Sequence, residues 1–102
     1  MKLREFYNEE KNEYGIVEDM GYRVSEHCTP NIVKRFNRLS KKDWDAVFYM
    51  EEIDDKLYIS GSEDFCGGYY SDDTPMDEVY MALILLMENE HRKYRNNLAM
   101  VK

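Results

Sequence analysis

The two histidines and two cysteines of this 102-residue sequence are the usual first candidates for a nucleophile, a general base or a metal ligand. They are His27, Cys28, Cys66 and His91. His27 and Cys28 are adjacent, and because neighbouring side chains usually diverge, adjacency does not make a nucleophile–base pair. Cys66 precedes two glycines, with no helix N-terminus immediately after it. None of these spacings resembles a zinc motif, so we predict neither a metal site nor a cofactor.

Carboxylates are the other chemically active groups, and they are abundant. The pairs Asp54-Asp55 and Asp72-Asp73 lack the alternating pattern of a calcium loop that ends in glutamate. The sequence also contains no glycine-rich loop that would cradle a phosphate. If the protein were an enzyme, its active site would have to be a group of carboxylates that no sequence motif reveals. No catalytic motif is present. We therefore expect a protein that is not an enzyme.

Charge is unevenly distributed along the chain, whose formal net charge is −7. Residues 1–28 carry −3, residues 29–42 carry +5, residues 43–78 carry −11 and residues 79–102 carry +2. Most of the acids in the third segment fall in clusters: Glu51, Glu52, Asp54, Asp55, Glu63, Asp64, Asp72 and Asp73. Like charges repel and lower stability. Steering onto a basic partner would offset that cost, whereas the simpler alternative is a solvated surface that keeps the protein soluble.

A basic segment is the counterpart of these acids. Its five cations are Lys34, Arg35, Arg38, Lys41 and Lys42. Such a face can contact phosphates without reading sequence. Alternatively, the cations neutralise acids of the neighbouring hairpin or interact with the end of their own helix. The negative total disfavours the chain as a whole as a nucleic-acid binder.

The sequence patterns that define the helices and strands around these residues predict an α+β fold in one domain, residues 1–102. A long C-terminal helix is expected at about 75–98, with Thr74 as N-cap and Pro75 at the first helical position. Val79 to Met87 is apolar at every position, so this half should be covered on more than one side, by the sheet or partly by a twin subunit. The run is too short to cross a bilayer, which takes about 20 residues. We expect no membrane association, and either a monomer or a homodimer.

A small antiparallel sheet completes the predicted fold, with two or three helices packed on it. Alternation predicts a central hairpin at about 44–61 that turns near Asp54-Asp55. A third strand should include Phe65-Cys66 or Tyr69-Tyr70, interrupted by two glycines. Helices are expected at about 2–13 and from Pro30 to about residue 40. Residues 14–28 form either two short strands, Ile16-Val17 and Tyr22–Val24, or an irregular connection.

In size, acidity and tyrosine content the chain resembles the small nuclease inhibitors that phages and mobile elements encode, and most of all the type II anti-CRISPR proteins. The residues that carry this resemblance are Glu51-Glu52, Asp54-Asp55, Glu63-Asp64 and Asp72-Asp73, set among tyrosines. The resemblance implies binding to an RNA-guided nuclease, whose nucleic-acid channels are positively charged. The clustered acids would then stand where phosphates sit, with Tyr58, Tyr69 and Tyr70 as aromatic anchors.

The expected location is then the cytoplasm of a bacterial host, in agreement with an N-terminal sequence that lacks an apolar signal region. Two alternatives remain open. The first is an immunity protein or antitoxin that neutralises a toxic nuclease. It would also bind a basic enzyme through its acidic surface, but the partner would differ. The second is a small nucleic-acid-binding regulator that uses the basic helix at 30–42. A ribonucleoprotein partner would combine the two surfaces.

Overall fold

A computed structural model describes residues 1–20, 28–40, 47–62 and 66–101 of the chain, without the side chains of Ser40, Cys66, His91 and residues 93–101. The elements, in chain order, are α1 (Leu3–Glu10), β1 (Ile16–Val17), α2 (Pro30–Ser40), β2 (Phe48–Ile53), β3 (Lys56–Gly61), β4 (Cys66–Tyr70) and α3 (Met76–Val101). The strands form one antiparallel sheet in the order β1-β2-β3-β4. The predicted α+β class is confirmed.

The predicted central hairpin is present as β2 and β3, and its first residues, 44–46, lie outside the described part of the chain. Phe48 pairs with Gly61 at one end and Ile53 with Lys56 at the other. The two connecting residues both have positive φ, 51° at Asp54 and 63° at Asp55. Positive φ at both central positions is the mark of a type I′ turn, whose twist matches that of the flanking strands.

The third strand differs from the prediction, because Gly67 and Gly68 lie within β4 and do not interrupt it. Ile59 pairs with Gly68 and Ser60 with Cys66, so the register shifts at this point. A Cβ atom on Gly67 would lie 2.8 Å from both Cγ2 and the carbonyl oxygen of Ile59. The glycine therefore permits a close approach of two backbones that any side chain would prevent.

The start of α3 is also shifted from the prediction. The first backbone bond of the helix runs from the N–H of Val79 to the carbonyl of Pro75, 3.2 Å away, which makes Pro75 the capping residue. The hydroxyl of Thr74 lies 3.0 Å from that of Ser71. The N-terminal segment causes this shift, because its backbone forms hydrogen bonds with the residues on either side of Pro75. Leu3 N–H donates to Thr74 O at 2.8 Å, and Met76 N–H donates to Met1 O at 2.9 Å.

By contrast, α2 begins at Pro30, as predicted. The N–H of Val33 donates to the carbonyl of Thr29 at 3.1 Å, so Pro30 takes the first helical position. Helix α1 ends at Glu10, earlier than predicted. The Asn12 carboxamide oxygen accepts from the N–H of Tyr14 at 2.9 Å and from that of Ile16 at 3.2 Å. This side-chain-stabilised turn competes with further helix and leads into β1.

One face of the sheet and the helices form the core. Phe36 of α2 lies 6.2 Å from Phe48 of the sheet and 5.0 Å from the ring of Tyr80 on α3, centroid to centroid. The buried Tyr80 hydroxyl donates to the carbonyl of Met20 at 2.7 Å. The long helix supplies much of the apolar interior, through Met76, Val79, Tyr80, Leu83, Ile84 and Met87.

Coverage of the apolar run in α3 is incomplete. Most of its residues are buried or half-buried, as predicted, but Leu85 is 56% exposed. In the described ranges, no helix is both long and apolar enough to span a membrane.

Candidate partner-binding surface

The solvent side of the sheet carries a group of tyrosines that the strand register brings together. Glu51 pairs with Tyr58, and Tyr58 pairs with Tyr69 on β4. The ring centroids of Tyr58 and Tyr69 are 4.8 Å apart, with the planes tilted by 55°. Tyr49 lies on the same side of β2 as Glu51, since alternate residues of a strand face the same way. We call Tyr49, Glu51, Tyr58 and Tyr69 the tyrosine face.

Exposure distinguishes this face from the opposite side of the sheet. The fractional exposure is 40% for Tyr49 and 57% for Tyr69. Phe48 and Met50, the neighbours of Tyr49 in β2, are fully buried on the helix side. The alternation of aromatic and apolar residues in β2 therefore produces one buried face and one face that presents aromatic rings to solvent.

Carboxylates gather at one end of the same sheet. Leu57 pairs with Tyr70, so the register brings the turn between β2 and β3 beside the loop that follows β4. The carboxylates at this end, which we call the acidic end, are Glu52, Asp54, Asp55, Asp72 and Asp73, all exposed. From Asp55 to Tyr58 is three residues of strand, about 10 Å. The acidic end and the tyrosine face are thus adjacent.

Arg4 of α1 and Lys2, which precedes the helix, neutralise part of the acidic end. Arg4 Nη2 lies 2.7 Å from Glu52 Oε2 and 3.1 Å from Asp72 Oδ1. The hydrogen bond to Asp72, and after it the one to Glu52, raises the pKa of Arg4. Lys2 Nζ lies 3.6 Å from Asp73 Oδ1. Within the described ranges no ion pair involves Asp54 or Asp55, which leaves the turn as the most uncompensated part of this end.

The predicted acidic site therefore separates into several parts. Glu51 belongs to the tyrosine face, five further acids form the acidic end, and Glu63 and Asp64 lie outside the described residues. The predicted aromatic anchors also separate. Tyr58 and Tyr69 contact each other, whereas Tyr70 is half-buried and packs against the core on the other face of the sheet.

The predicted basic face is reduced by one ion pair. Arg35 donates from Nη2 to Glu88 Oε1 at 2.6 Å and from Nε to the same oxygen at 2.9 Å. Arg35 is thus committed to α3. Lys34 and Arg38 are exposed on α2, and Lys41 and Lys42 lie outside the described residues.

Cys28 is the thiol whose surroundings the structure describes. Burial, and then the neighbouring Asp77 carboxylate, raises the pKa of Cys28 to about 12. A thiol that stays protonated near neutral pH is a poor nucleophile and a poor metal ligand. Among the described residues, no group of three or more His, Cys, Asp or Glu side chains is placed to hold a metal ion.

Two features of the surface were missed by the reasoning from sequence. Tyr49 is not among the predicted anchors, although the alternation of residues in β2 was a sufficient signal. Arg4 gave no local signal, because its partners Glu52 and Asp72 are 48 and 68 residues away in the sequence.

No protein-family model, curated protein or solved structure matches this chain.

Proposed function

We propose that this protein is a non-catalytic inhibitor that binds a basic nucleic-acid enzyme, with an RNA-guided effector nuclease as the preferred partner. The observation that carries the proposal is the contact between the half-buried Tyr58 and the exposed Tyr69 on the solvent side of the sheet, 4.8 Å between centroids, with Glu51 paired to Tyr58 in the strand register. Tyrosine is among the residue types enriched at the few positions that dominate protein–protein binding energy.

The adjacent acidic end would orient the partner and raise the rate of association. Carboxylates at the tip of a hairpin project outward, where their field attracts a basic surface and accelerates encounter. Arg4 holds Glu52 and Asp72 in place by ion pairs of 2.7 and 3.1 Å. A carboxylate whose position is already fixed loses less conformational freedom when a partner docks on it.

The mechanism of inhibition follows from the way such a partner binds nucleic acid. An RNA-guided nuclease holds its nucleic acids in positively charged channels and recognises them through the backbone. The carboxylates of the acidic end would occupy phosphate positions in such a channel, and the tyrosine face would pack on its wall. Inhibition is then steric and electrostatic, and no covalent bond is made or broken.

A binding and cleavage assay against a panel of purified RNA-guided nucleases tests this proposal. The double variant Tyr58→Ala/Tyr69→Ala removes the anchors and should weaken binding at least about 100-fold. Asp54→Asn/Asp55→Asn removes two charges from the turn and should weaken binding about tenfold at low salt, and less at high salt.

The matched control is Glu9→Gln/Glu13→Gln, which removes two exposed carboxylates elsewhere. Its affinity should stay within about twofold of the wild type. Equal losses in the two charge variants would reject a localised acidic site. Full inhibition by the tyrosine double variant would reject the tyrosine face. No inhibition of any panel member, with capture of a toxic nuclease instead, would favour the immunity-protein alternative.

The nucleic-acid-binding alternative has less support, since the Arg35–Glu88 ion pair removes one of its five cations. It predicts retention of wild-type protein on nucleic acid at low salt, and loss of retention in Lys34→Ala/Arg38→Ala. Absence of wild-type retention would eliminate it.

A further inference from the structure

The outward side of α3 carries an open groove with mixed apolar and polar lining. Leu85 is 56% exposed, and a groove of about 440 Å³ runs beside it. The described residues that line the groove are Ala82, Leu85, Leu86, Glu88, Asn89 and Arg92. An exposed leucine in the middle of an otherwise core-forming helix leaves apolar surface in contact with water.

The residues on this side of α3 lie along one line of the helix, and two of the five are apolar. Glu78, Ala82, Leu85, Asn89 and Arg92 are separated by alternating steps of four and three residues. That spacing keeps the five side chains on one side of the helix, which we call the seam. The seam is acidic at its N-terminal end and basic at its C-terminal end, with a leucine midway.

We propose that the seam binds a second copy of this chain, with the two α3 helices antiparallel across a two-fold axis near Leu85. In such a pair, residues equally distant from the axis face each other. Glu78 and Arg92 each lie seven residues from Leu85, about 10 Å along a helix. Glu78 of one copy therefore faces Arg92 of the other, and the symmetry makes this ion pair twice. Glu78 and Arg92 are both exposed.

Charge complementarity selects this arrangement over a parallel pair. Parallel packing would set Glu78 beside Glu78 and Arg92 beside Arg92, and would align the two helix dipoles unfavourably. Antiparallel packing reverses both effects. Ala82 has a small side chain, which allows the two helices to approach closely.

The inferred dimer is independent of the proposed inhibitory function, because the tyrosine face lies on the side of the sheet away from the helices. Both copies would keep that face accessible. A two-fold dimer would present two such faces and gain avidity for a partner that is itself multivalent.

Sedimentation equilibrium of the full chain, without any partner, tests the inference. The average mass should rise from one chain to two as concentration increases. Glu78→Arg and Arg92→Glu should each raise the dimer dissociation constant about tenfold, since each replaces two attractive contacts with two repulsive ones. The double variant Glu78→Arg/Arg92→Glu restores the pairs in reversed order, and its dissociation constant should return to within about threefold of the wild type.

Two further variants separate the seam from general effects. Leu85→Glu places like charges at the axis and should abolish the dimer. Lys34→Glu changes an exposed charge on α2 outside the seam and should leave the dissociation constant unchanged. Circular dichroism melting shows whether each variant is folded. A monomer at all concentrations, a dimer insensitive to Leu85→Glu, or a double variant no better than the single ones would each overturn the proposal.

Discussion

Arg35 Nη2 lies 2.6 Å from Glu88 Oε1, and Arg35 Nε donates to the same oxygen at 2.9 Å. This contact joins α2 to α3 across 53 residues of sequence. The side chains are 39% and 29% exposed, so solvent screens the pair only in part. A cation that composition alone would assign to a phosphate site thus serves to dock one helix on another.

Removing either member of this pair should lower the free energy of unfolding. We expect about 1 kcal/mol for Arg35→Gln or for Glu88→Gln, with a coupling energy of about 0.5–1 kcal/mol in the double-mutant cycle. Urea denaturation of the four proteins measures both quantities. Lys34→Gln, on the same helix but exposed, is the control and should change stability by less than about 0.5 kcal/mol. A coupling energy of zero would mean that the pair contributes nothing to helix docking.

Gly67 should tolerate no side chain. Its Cβ would lie 2.8 Å from the backbone oxygen of Ile59, an atom fixed by the sheet. We expect Gly67→Ala to destabilise the protein by about 3 kcal/mol, measured by chemical denaturation. Gly68→Ala is the comparison. A Cβ at Gly68 would contact nothing within 4 Å, so only the φ of +89° opposes a side chain there. We expect Gly68→Ala to lower the free energy of unfolding by about 1–2 kcal/mol. A smaller effect at Gly67 than at Gly68 would contradict the close approach.

Local chemistry made much of this fold predictable from sequence. Thr29-Pro30 and the apolar spacing after it define α2, and the alternation around Asp54-Asp55 defines the central hairpin. These signals succeed because capping, turns and pleating each depend on a few consecutive residues. The same alternation separates Tyr49 and Tyr58 from the buried side of the sheet.

The features that sequence missed depend on distant parts of the chain. Pro75 caps α3 in place of Thr74 because the backbone of Met1 and Leu3 bonds to this point. Gly67 lies within β4 at a point where Ile59 of β3 approaches too closely for any side chain. Arg4 organises the acidic end from another element altogether. No short window of sequence contains both members of any of these contacts.

Cys28 should react slowly with alkylating reagents in the native protein. Burial, followed by Asp77, raises its pKa from 9.0 to about 12. The reactive thiolate at pH 8 is then about a thousandfold scarcer, and we expect alkylation by iodoacetamide at least about tenfold slower than in urea. Mass spectrometry of the peptide that contains Cys28 measures the rate. Equal rates in the native and denatured proteins would exclude a protected thiol.

The same pKa sets a direction for stability against pH. A thiol whose folded pKa exceeds its unfolded pKa favours folding fully below about pH 9 and loses that contribution as pH rises toward 12. Wild-type protein should therefore lose stability faster than Cys28→Ala between pH 8.5 and 10.5. The two proteins share every tyrosine, so their difference isolates the thiol. Parallel stability curves would show that Cys28 makes no such contribution.

The hairpin turn allows stability and binding to be changed in opposite directions. Asp54 and Asp55 both have positive φ, a conformation that Asn-Gly adopts with less strain than two aspartates. Asp54→Asn/Asp55→Gly should raise the free energy of unfolding by about 1 kcal/mol. Since it also removes two exposed charges from the acidic end, affinity for a basic partner should fall about tenfold at low salt.

Asp54→Ala/Asp55→Ala removes the same charges but also the short polar side chains that help aspartate to adopt the left-handed region, which alanine disfavours. It should therefore lower the free energy of unfolding by about 1–2 kcal/mol while weakening binding as much as the Asn-Gly variant does. Denaturation and low-salt titration of both proteins give the four values required. If affinity followed stability and not charge, the turn would act through the fold alone, and the acidic end would have no direct part in binding.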